Sequence, residues 1–146
     1  MILESLEPFQ NSRNRNEQIK YITDFFHSIS LTSDPEQIKQ VLWNLFLNAC
    51  EAMPADGTLS ILTRMEPDPA EPDKEIVRIV VHDTGNGFDK KSLSQLFIPF
   101  FTTKEGGSGL GLAIVKRIVE SLNGSIYGRN HPEGGAEISL LLPCVF

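Results

Sequence analysis

Residues 80–89 read VVHDTGNGFD, an apolar run that ends in an acid and continues into a turn with two glycines. The longer run EIVRIVVHD predicts a strand over 75–83. Gly85 and Gly87 let the backbone approach a flat ligand closely, and the carboxylate of Asp83 can accept a hydrogen bond from an exocyclic amine. Asp-Thr-Gly also forms ordinary turns, so this stretch alone is weak evidence for a binding site.

A glycine-rich segment lies further along the chain. Residues 106–115, GGSGLGLAIV, place glycines and a serine directly before a predicted helix. Backbone N–H groups and the positive end of a helix together can hold phosphate. The segment lacks the GKS or GKT of a P-loop and stands in no βαβ unit, which excludes a Rossmann fingerprint. A flexible glycine loop without a ligand is the alternative interpretation.

A first helix is predicted to begin around Asp34, which offers a side-chain cap followed by a proline and an acid, and to run through Met53. Apolar residues recur on it at helical spacing. A narrow polar stripe also follows it, formed by Gln40, Asn44, Asn48 and Glu51. Because buried amides and carboxylates need hydrogen-bond partners, the stripe is predicted to meet protein groups, water, or a ligand with its metal.

The remaining pattern mixes strands with one further helix. Strands are predicted over 19–26, 29–33, 58–65, 125–130 and 136–143, the first two of them paired with each other. A second helix is predicted from Ala113, ending at Asn123-Gly124. This order predicts an α+β fold, a two-layer sandwich with helices on one face of a mixed, mostly antiparallel sheet. Residues 1–18 are expected to form a linker or the end of a preceding region, and 19–146 a single domain.

Composition excludes several classes of function. The chain has 146 residues, a net charge of -6 and a pI near 5.0, which argues against a nucleic-acid surface or a polybasic membrane anchor. Cys50 and Cys144 stand far apart and form no CxxC motif, which favours a reduced, cytoplasmic protein. No apolar run approaches the length of about 18 residues that a membrane span needs. We expect a cytoplasmic domain without membrane contact, although a longer parent protein is compatible with membrane anchoring.

Residues 98–104, IPFFTTK, taken by themselves favour a plain hydrophobic anchor. Next to the glycine-rich segment they predict a lid in which Phe100 and Phe101 pack down as hinges and Lys104 reaches phosphate. In combination, these stretches resemble the motifs of histidine kinases. QVLWNLFLNACEAM is similar to the asparagine box, DTGNG to the first glycine box, LFIPFFTTK to the phenylalanine box and GGSGLGL to the second glycine box. The resemblance extends from about Asp34 to Pro143.

The resemblance implies the Bergerat ATP-binding fold, with ATP and Mg²⁺ as ligands. By matching position, Asn48 would ligate Mg²⁺, Asn44 would support it, and Asp83 would accept a hydrogen bond from the adenine amine. Gly85 and Gly87 would line the base. The phosphates would be enclosed by a set of residues from the lid and the glycine loop, namely Phe100, Lys104, Gly107, Ser108, Gly109, Leu110 and Gly111. Ser108 stands where the family often has threonine, which keeps the hydroxyl.

The implied activity is that of a protein-histidine kinase in a two-component system with a response regulator downstream, and the chain most resembles the nitrogen-regulation branch of these kinases. Such kinases phosphorylate a histidine on a dimerisation hairpin, in a His-Glu or His-Asp motif with a proline shortly after. None of the three histidines, His27, His82 and His131, stands in such a motif. This chain is therefore expected to supply no phospho-acceptor, to bind ATP without autophosphorylation, and to act on the dimerisation domain of the same kinase.

Three alternatives remain open. A gyrase-type or mismatch-repair-type ATPase uses a glutamate one helical turn before the metal-binding asparagine, and that position is Asn44 here. A non-catalytic nucleotide-binding module is disfavoured because all four motifs are complete. An anti-sigma serine kinase is disfavoured by the phenylalanine box.

Overall fold

The computed structural model describes residues 8–9, 18–25, 34–53, 55–101 and 110–144. Within these ranges the order of elements is β1 (Gln18–Asp24), α1 (Pro35–Glu51), β2 (Asp56–Pro67), β3 (Glu75–Asp83), α2 (Gly111–Ser121), β4 (Ser125–Asn130) and β5 (Ala136–Pro143). A single turn of 3₁₀ helix, Leu93–Gln95, lies between β3 and α2. No helix in the described part of the chain is long and apolar enough to cross a membrane.

The strands form one sheet in the order β1-β2-β3-β5-β4. β1 runs parallel to β2, and the other three neighbouring pairs are antiparallel. Alternate positions of the strands, together with residues of α1 and α2, form a single hydrophobic core. The predicted fold class is therefore confirmed: both helices lie on one face of a mixed, mostly antiparallel sheet.

Helix α1 begins as its sequence predicts. The carboxylate of Asp34 accepts a hydrogen bond from the backbone N–H of Glu36 at 3.0 Å, and Pro35 occupies the first helical turn. The buried side is formed by Ile38, Val41, Leu42, Leu45, Phe46, Ala49 and Cys50. The polar stripe lies beside this buried face, so its position in the molecule is fixed by the packing of α1.

Helix α2 ends at the predicted stop. Asn123 adopts a left-handed backbone with φ 60°, and Gly124 follows in a position where a Cβ would lie 2.5 Å from the carbonyl oxygen of Leu141. Only glycine fits this close approach of two backbones. The stop directs the chain into β4, which pairs with β5 as a hairpin.

The amino-terminal part of the chain differs from the predicted strand pairing and from the predicted linker. β1 pairs with β2 in parallel register, Gln18 opposite Asp56, whereas its predicted partner, 29–33, lies outside the described residues. Within the predicted linker, Phe9 is 1% exposed and packs edge-on against Trp43, with ring centroids 5.0 Å apart. The domain boundary at residue 19 stays a prediction, and at least one side chain before it joins the core.

Candidate functional site

Asp83 lies at the end of β3, and the residue is 3% exposed. Its Oδ1 accepts hydrogen bonds from the backbone N–H of Gly85 at 2.9 Å and of Ala136 at 3.2 Å. Two backbone donors on one oxygen fix the plane of the carboxylate, because neither donor can rotate away as a side chain could. A buried carboxylate held in this way is a specific hydrogen-bond acceptor.

The turn after Asp83 lies against the carboxyl-terminal end of α1. A Cβ at Gly85 would fall inside contact distance of the carbonyl oxygen of Ala52. Thr84 Oγ1 accepts a hydrogen bond from the backbone N–H of Thr58 at 2.9 Å, which ties the turn to β2 as well. The first glycine of the turn is therefore required for the close approach between β3 and the helix that carries Asn48.

The second glycine of the turn has a different requirement. Gly87 has φ +73°, and a Cβ there would lie 2.7 Å from Asn130 Oδ1. The same Oδ1 accepts a hydrogen bond from the backbone N–H of Phe88, and Asn130 Nδ2 donates to the carbonyl oxygen of Phe88, both at 2.7 Å. Asn130, at the end of β4, therefore holds the chain as it leaves the turn, a role that the sequence pattern did not indicate.

One residue of the polar stripe of α1, Asn44, lies next to the start of α2. Asn44 and Asn48 are half-buried, whereas Gln40 and Glu51 at the two ends of the stripe are exposed. Asn44 Oδ1 lies 3.8 Å from the position that a Cβ at Gly111 would take. The fold thus brings Asn44 next to the first turn of α2, the end of the helix that carries partial positive charge.

Several predicted phosphate-binding residues lie outside the described part of the chain: Lys104, Gly107, Ser108 and Gly109. Leu110 and Gly111, which follow them, are half-buried at the start of α2. The described ranges contain no group of three or more His, Cys, Asp or Glu side chains that could hold a metal ion.

The expectation that Phe100 packs down as a hinge is wrong. Phe100 is 76% exposed and has a left-handed backbone with φ 66°. The backbone N–H of Phe101 donates to the carbonyl oxygen of Ile98, and this tight turn directs the Phe100 side chain outwards. The packed residues of the segment are Leu96, 8% exposed, and Phe97, whose ring centroid lies 5.9 Å from Lys116 Nζ on α2.

The two described histidines lie beside each other, at the end of β3 and in the β4–β5 turn, and neither is in a helical hairpin. His82 precedes Asp83 on β3, and His131 follows Asn130 in the β4–β5 turn. Their rings are stacked, with centroids 3.9 Å apart and an interplanar angle of 21°. His27 lies outside the described residues.

A sequence model of the family described as histidine kinase-, DNA gyrase B- and HSP90-like ATPases matches residues 33–145. The chain is 39% identical over 116 residues to Sporulation kinase A of Bacillus subtilis strain 168, covering 80% of this chain and 18% of the relative. It is 38% identical over 113 residues to Sensor histidine kinase ZraS of Klebsiella oxytoca, covering 77% of this chain and 23% of the relative. The chain spans about a fifth of the length of these curated relatives.

Among solved structures, the catalytic domain of histidine kinase ThkA, in a nucleotide-free form, matches with a TM-score of 0.83 at 30% identity. The match covers 98% of this chain and 90% of that chain. Membership of an ATPase family implies ATP binding, and the family resemblance predicted from the four sequence motifs is confirmed. The chain belongs to the histidine kinase-, DNA gyrase B- and HSP90-like ATPases, and its homologues are the catalytic domains of sensor histidine kinases.

Proposed function

We propose that this domain binds ATP with Mg²⁺ and donates the γ-phosphate to a histidine on the dimerisation hairpin of the same kinase. The observation that carries the proposal is the Asp83 carboxylate, 3% exposed and fixed by two backbone N–H groups, in a turn that packs against the end of α1. In the transfer, the bond between the γ-phosphorus and the bridging oxygen breaks, a bond to an imidazole nitrogen forms, and ADP leaves.

The adenine base is proposed to lie against the Asp83 turn. The carboxylate would accept from the adenine amine, and the turn glycines Gly85 and Gly87 would line the base. Guanine presents a carbonyl oxygen where adenine presents its amine, so its binding would set two acceptors against each other. A buried polar group left unpaired in this way discriminates strongly between ligands. We therefore expect selectivity for adenine nucleotides.

The phosphates and Mg²⁺ are proposed to lie between α1 and the start of α2. Mg²⁺ prefers oxygen ligands and retains several waters, so the carbonyl oxygen of Asn48 together with phosphate oxygens is a suitable set. Asn44, next to Gly111, would support that arrangement. The backbone N–H groups of the glycine loop, residues 107–111, would face the phosphates, and the segment from Phe101 to Ser108, which includes Lys104, would enclose them.

We also expect this domain to hydrolyse ATP slowly, because of a residue on helix α1. An ATPase of the gyrase or mismatch-repair type needs a carboxylate to activate water one turn before the metal-binding asparagine. That position is held by Asn44, whose amide cannot act as a general base. The bound ATP would therefore persist until an acceptor histidine reaches it, as a kinase requires.

The partners follow from the same reaction. The dimerisation hairpin of the parent kinase would supply the acceptor histidine, and a response regulator would take the phosphoryl group from it. The domain itself is proposed to act in the cytoplasm. The chain spans about a fifth of its curated relatives, so these partners belong to the activity of a whole kinase.

Calorimetric titration of the purified domain with a non-hydrolysable ATP analogue tests the proposal, first with Mg²⁺ and then with a chelator, and again with the GTP analogue. Mg²⁺-dependent binding of the adenine analogue alone is expected. Transfer is then tested by mixing the domain, radiolabelled ATP and the purified hairpin of the same kinase. A folded domain that binds neither analogue would contradict the proposal and favour a non-catalytic module.

A further inference from the structure

The β4–β5 turn, residues 131–135, is built against the strand end that carries Asp83. Inside the turn, His131 N–H donates to the carbonyl oxygen of Gly135 and Gly134 N–H donates to that of His131, both at 2.9 Å. A Cβ at Gly135 would collide with the carbonyl oxygen of Asp83. The residue after the turn, Ala136, provides one of the two backbone donors to Asp83 Oδ1. Ala136 is also the first residue of β5 and pairs with Asn130, so the position of this donor depends on the ladder and on the turn that precedes it.

Glycines at the two last positions make the turn intrinsically adaptable. Gly134 and Gly135 have φ values of +101° and +82°, and glycine populates many other conformations at little cost. A turn of this kind keeps one conformation only where surrounding contacts select it. Besides its backbone hydrogen bonds and the packing of Gly135 on Asp83, this turn is contacted by a pair of imidazoles.

The stacked rings of His82 and His131 join the turn to β3. His82 Nε2 lies 3.0 Å from the carbonyl oxygen of Gly134, so Nε2 carries the proton and donates. The backbone N–H of Glu133 donates to His131 Nδ1 at 3.1 Å, so this nitrogen is unprotonated. The two rings stack with their centroids 3.9 Å apart. The imidazole of His131 thus fixes the turn from within and anchors it to the residue that precedes Asp83.

We propose that His131 is a positioning residue for adenine recognition: it holds the β4–β5 turn so that the Ala136 N–H orients the Asp83 carboxylate. This inference rests on the proposed function, because it concerns the same carboxylate. His131 acts through Gly134, Gly135 and Ala136 and need not touch the nucleotide. Without its imidazole the turn samples other glycine conformations, and the Ala136 donor no longer holds Asp83 in a single orientation.

The test compares the affinities of the wild-type chain and of His131→Ala for ADP–Mg²⁺ and GDP–Mg²⁺. Calorimetry measures the tighter nucleotide directly, and the affinity of the weaker nucleotide is measured by its competition with the tighter one. Charged hydrogen bonds contribute enough that misaligning one should weaken ADP binding about tenfold. The affinity for GDP should stay the same or rise, because the oriented carboxylate opposes the carbonyl oxygen of guanine. A turn with a purely structural role would lower stability and affect both nucleotides alike.

Two further variants make the result specific. Glu133→Ala changes a side chain of the same turn but keeps the backbone N–H that bonds to His131, and its ADP affinity should equal that of the wild type. His131→Asn, a milder change, offers an amide oxygen to the Glu133 N–H but no ring to stack on His82. Its ADP affinity should fall between those of the wild type and His131→Ala, and it serves as the test if the alanine variant does not fold.

Each outcome decides the inference. Folded variants at His131 that bind ADP as tightly as the wild type, or that lose ADP and GDP equally, would overturn it while leaving the proposed function intact. A wild-type protein that binds neither nucleotide would overturn the proposed function and this inference with it. Loss of selectivity in the His131 variants, with Glu133→Ala unchanged, supports it.

Discussion

The carbonyl oxygen of Ala52, at the end of α1, occupies the space in which a side chain at Gly85 would have to lie. This contact joins the helix of the asparagines to the turn of the buried carboxylate. Since backbone atoms on both sides form it, neither can move without displacing a whole element. The distance between the two halves of the proposed nucleotide site is therefore set by the absence of one Cβ.

Gly85→Ala is expected to lower the free energy of unfolding by about 1 to 3 kcal/mol, the usual range for overpacking a dense interior. It should also weaken binding of the ATP analogue, because the Gly85 N–H that bonds to Asp83 shifts. Urea denaturation and calorimetry measure the two effects. Gly111→Ala is the control for stability, since its Cβ would meet only Asn44 Oδ1 at 3.8 Å. A Gly85→Ala protein as stable as the wild type would show that the contact is not tight in solution.

Asp83→Asn is expected to abolish adenine nucleotide binding with little loss of stability. The amide oxygen can still accept from Gly85 and Ala136, whereas the amide nitrogen presents a donor to the adenine amine. Asp83→Ala removes the acceptor of two buried backbone N–H groups, which costs about 1 to 3 kcal/mol for each group left unsatisfied. Calorimetry and thermal melting of both variants separate the two effects. Tight ATP binding by Asp83→Asn would contradict the assignment of the carboxylate to the base.

Local pattern predicted the elements that carry the site. The apolar run EIVRIVVHD gave the bounds of β3 without error, and the Asp34-Pro35 signal gave the start of α1. The parallel pairing of β1 with β2 could not be predicted in this way, because the direction and partner of a strand depend on contacts distant in sequence. β2 also continues to Pro67, past the predicted end at Met65, since Pro67 lies opposite Glu75 at the end of the ladder.

The same division between local and distant contacts explains which site residues could be predicted from the sequence. Asp83 and its glycines follow one another in the sequence, so their turn could be identified locally. Asn130 could not, because its side chain bonds to the backbone of Phe88, 42 residues earlier. The outward position of Phe100 depends on a left-handed backbone that aromatic residues rarely adopt, and an apolar pattern predicts burial instead.

Cys144 is expected to react slowly with alkylating reagents. Burial raises the pKa of its thiol above the ordinary value, and the nearby carboxylate of Glu75 raises it further. A raised pKa leaves less thiolate at pH 8, and the thiolate is the nucleophile. Mass spectrometry can follow the rate at which Cys144 reacts with iodoacetamide. This rate should be lower than the rate for a cysteine in a short peptide, and it should approach the peptide rate when urea unfolds the protein. Cys50, 0% exposed, should not react in the folded protein. Equal rates for Cys144 and the peptide at pH 8 would contradict this prediction.

Phe9→Ala is expected to destabilise the domain by about 2 to 3 kcal/mol, the value of burying one large apolar side chain. Phe9 is 1% exposed and packs against Trp43 and Phe46 of α1, at centroid distances of 5.0 and 5.6 Å. Trp43 is the sole tryptophan of the sequence, so its emission should shift to the red as water replaces the ring. Phe100→Ala is the matched control: its ring is 76% exposed, and the change should stay within about 0.5 kcal/mol. If Phe9→Ala behaves like Phe100→Ala, the segment before residue 19 is a linker that contributes nothing to the core, whereas a large difference extends the folding unit to include Phe9.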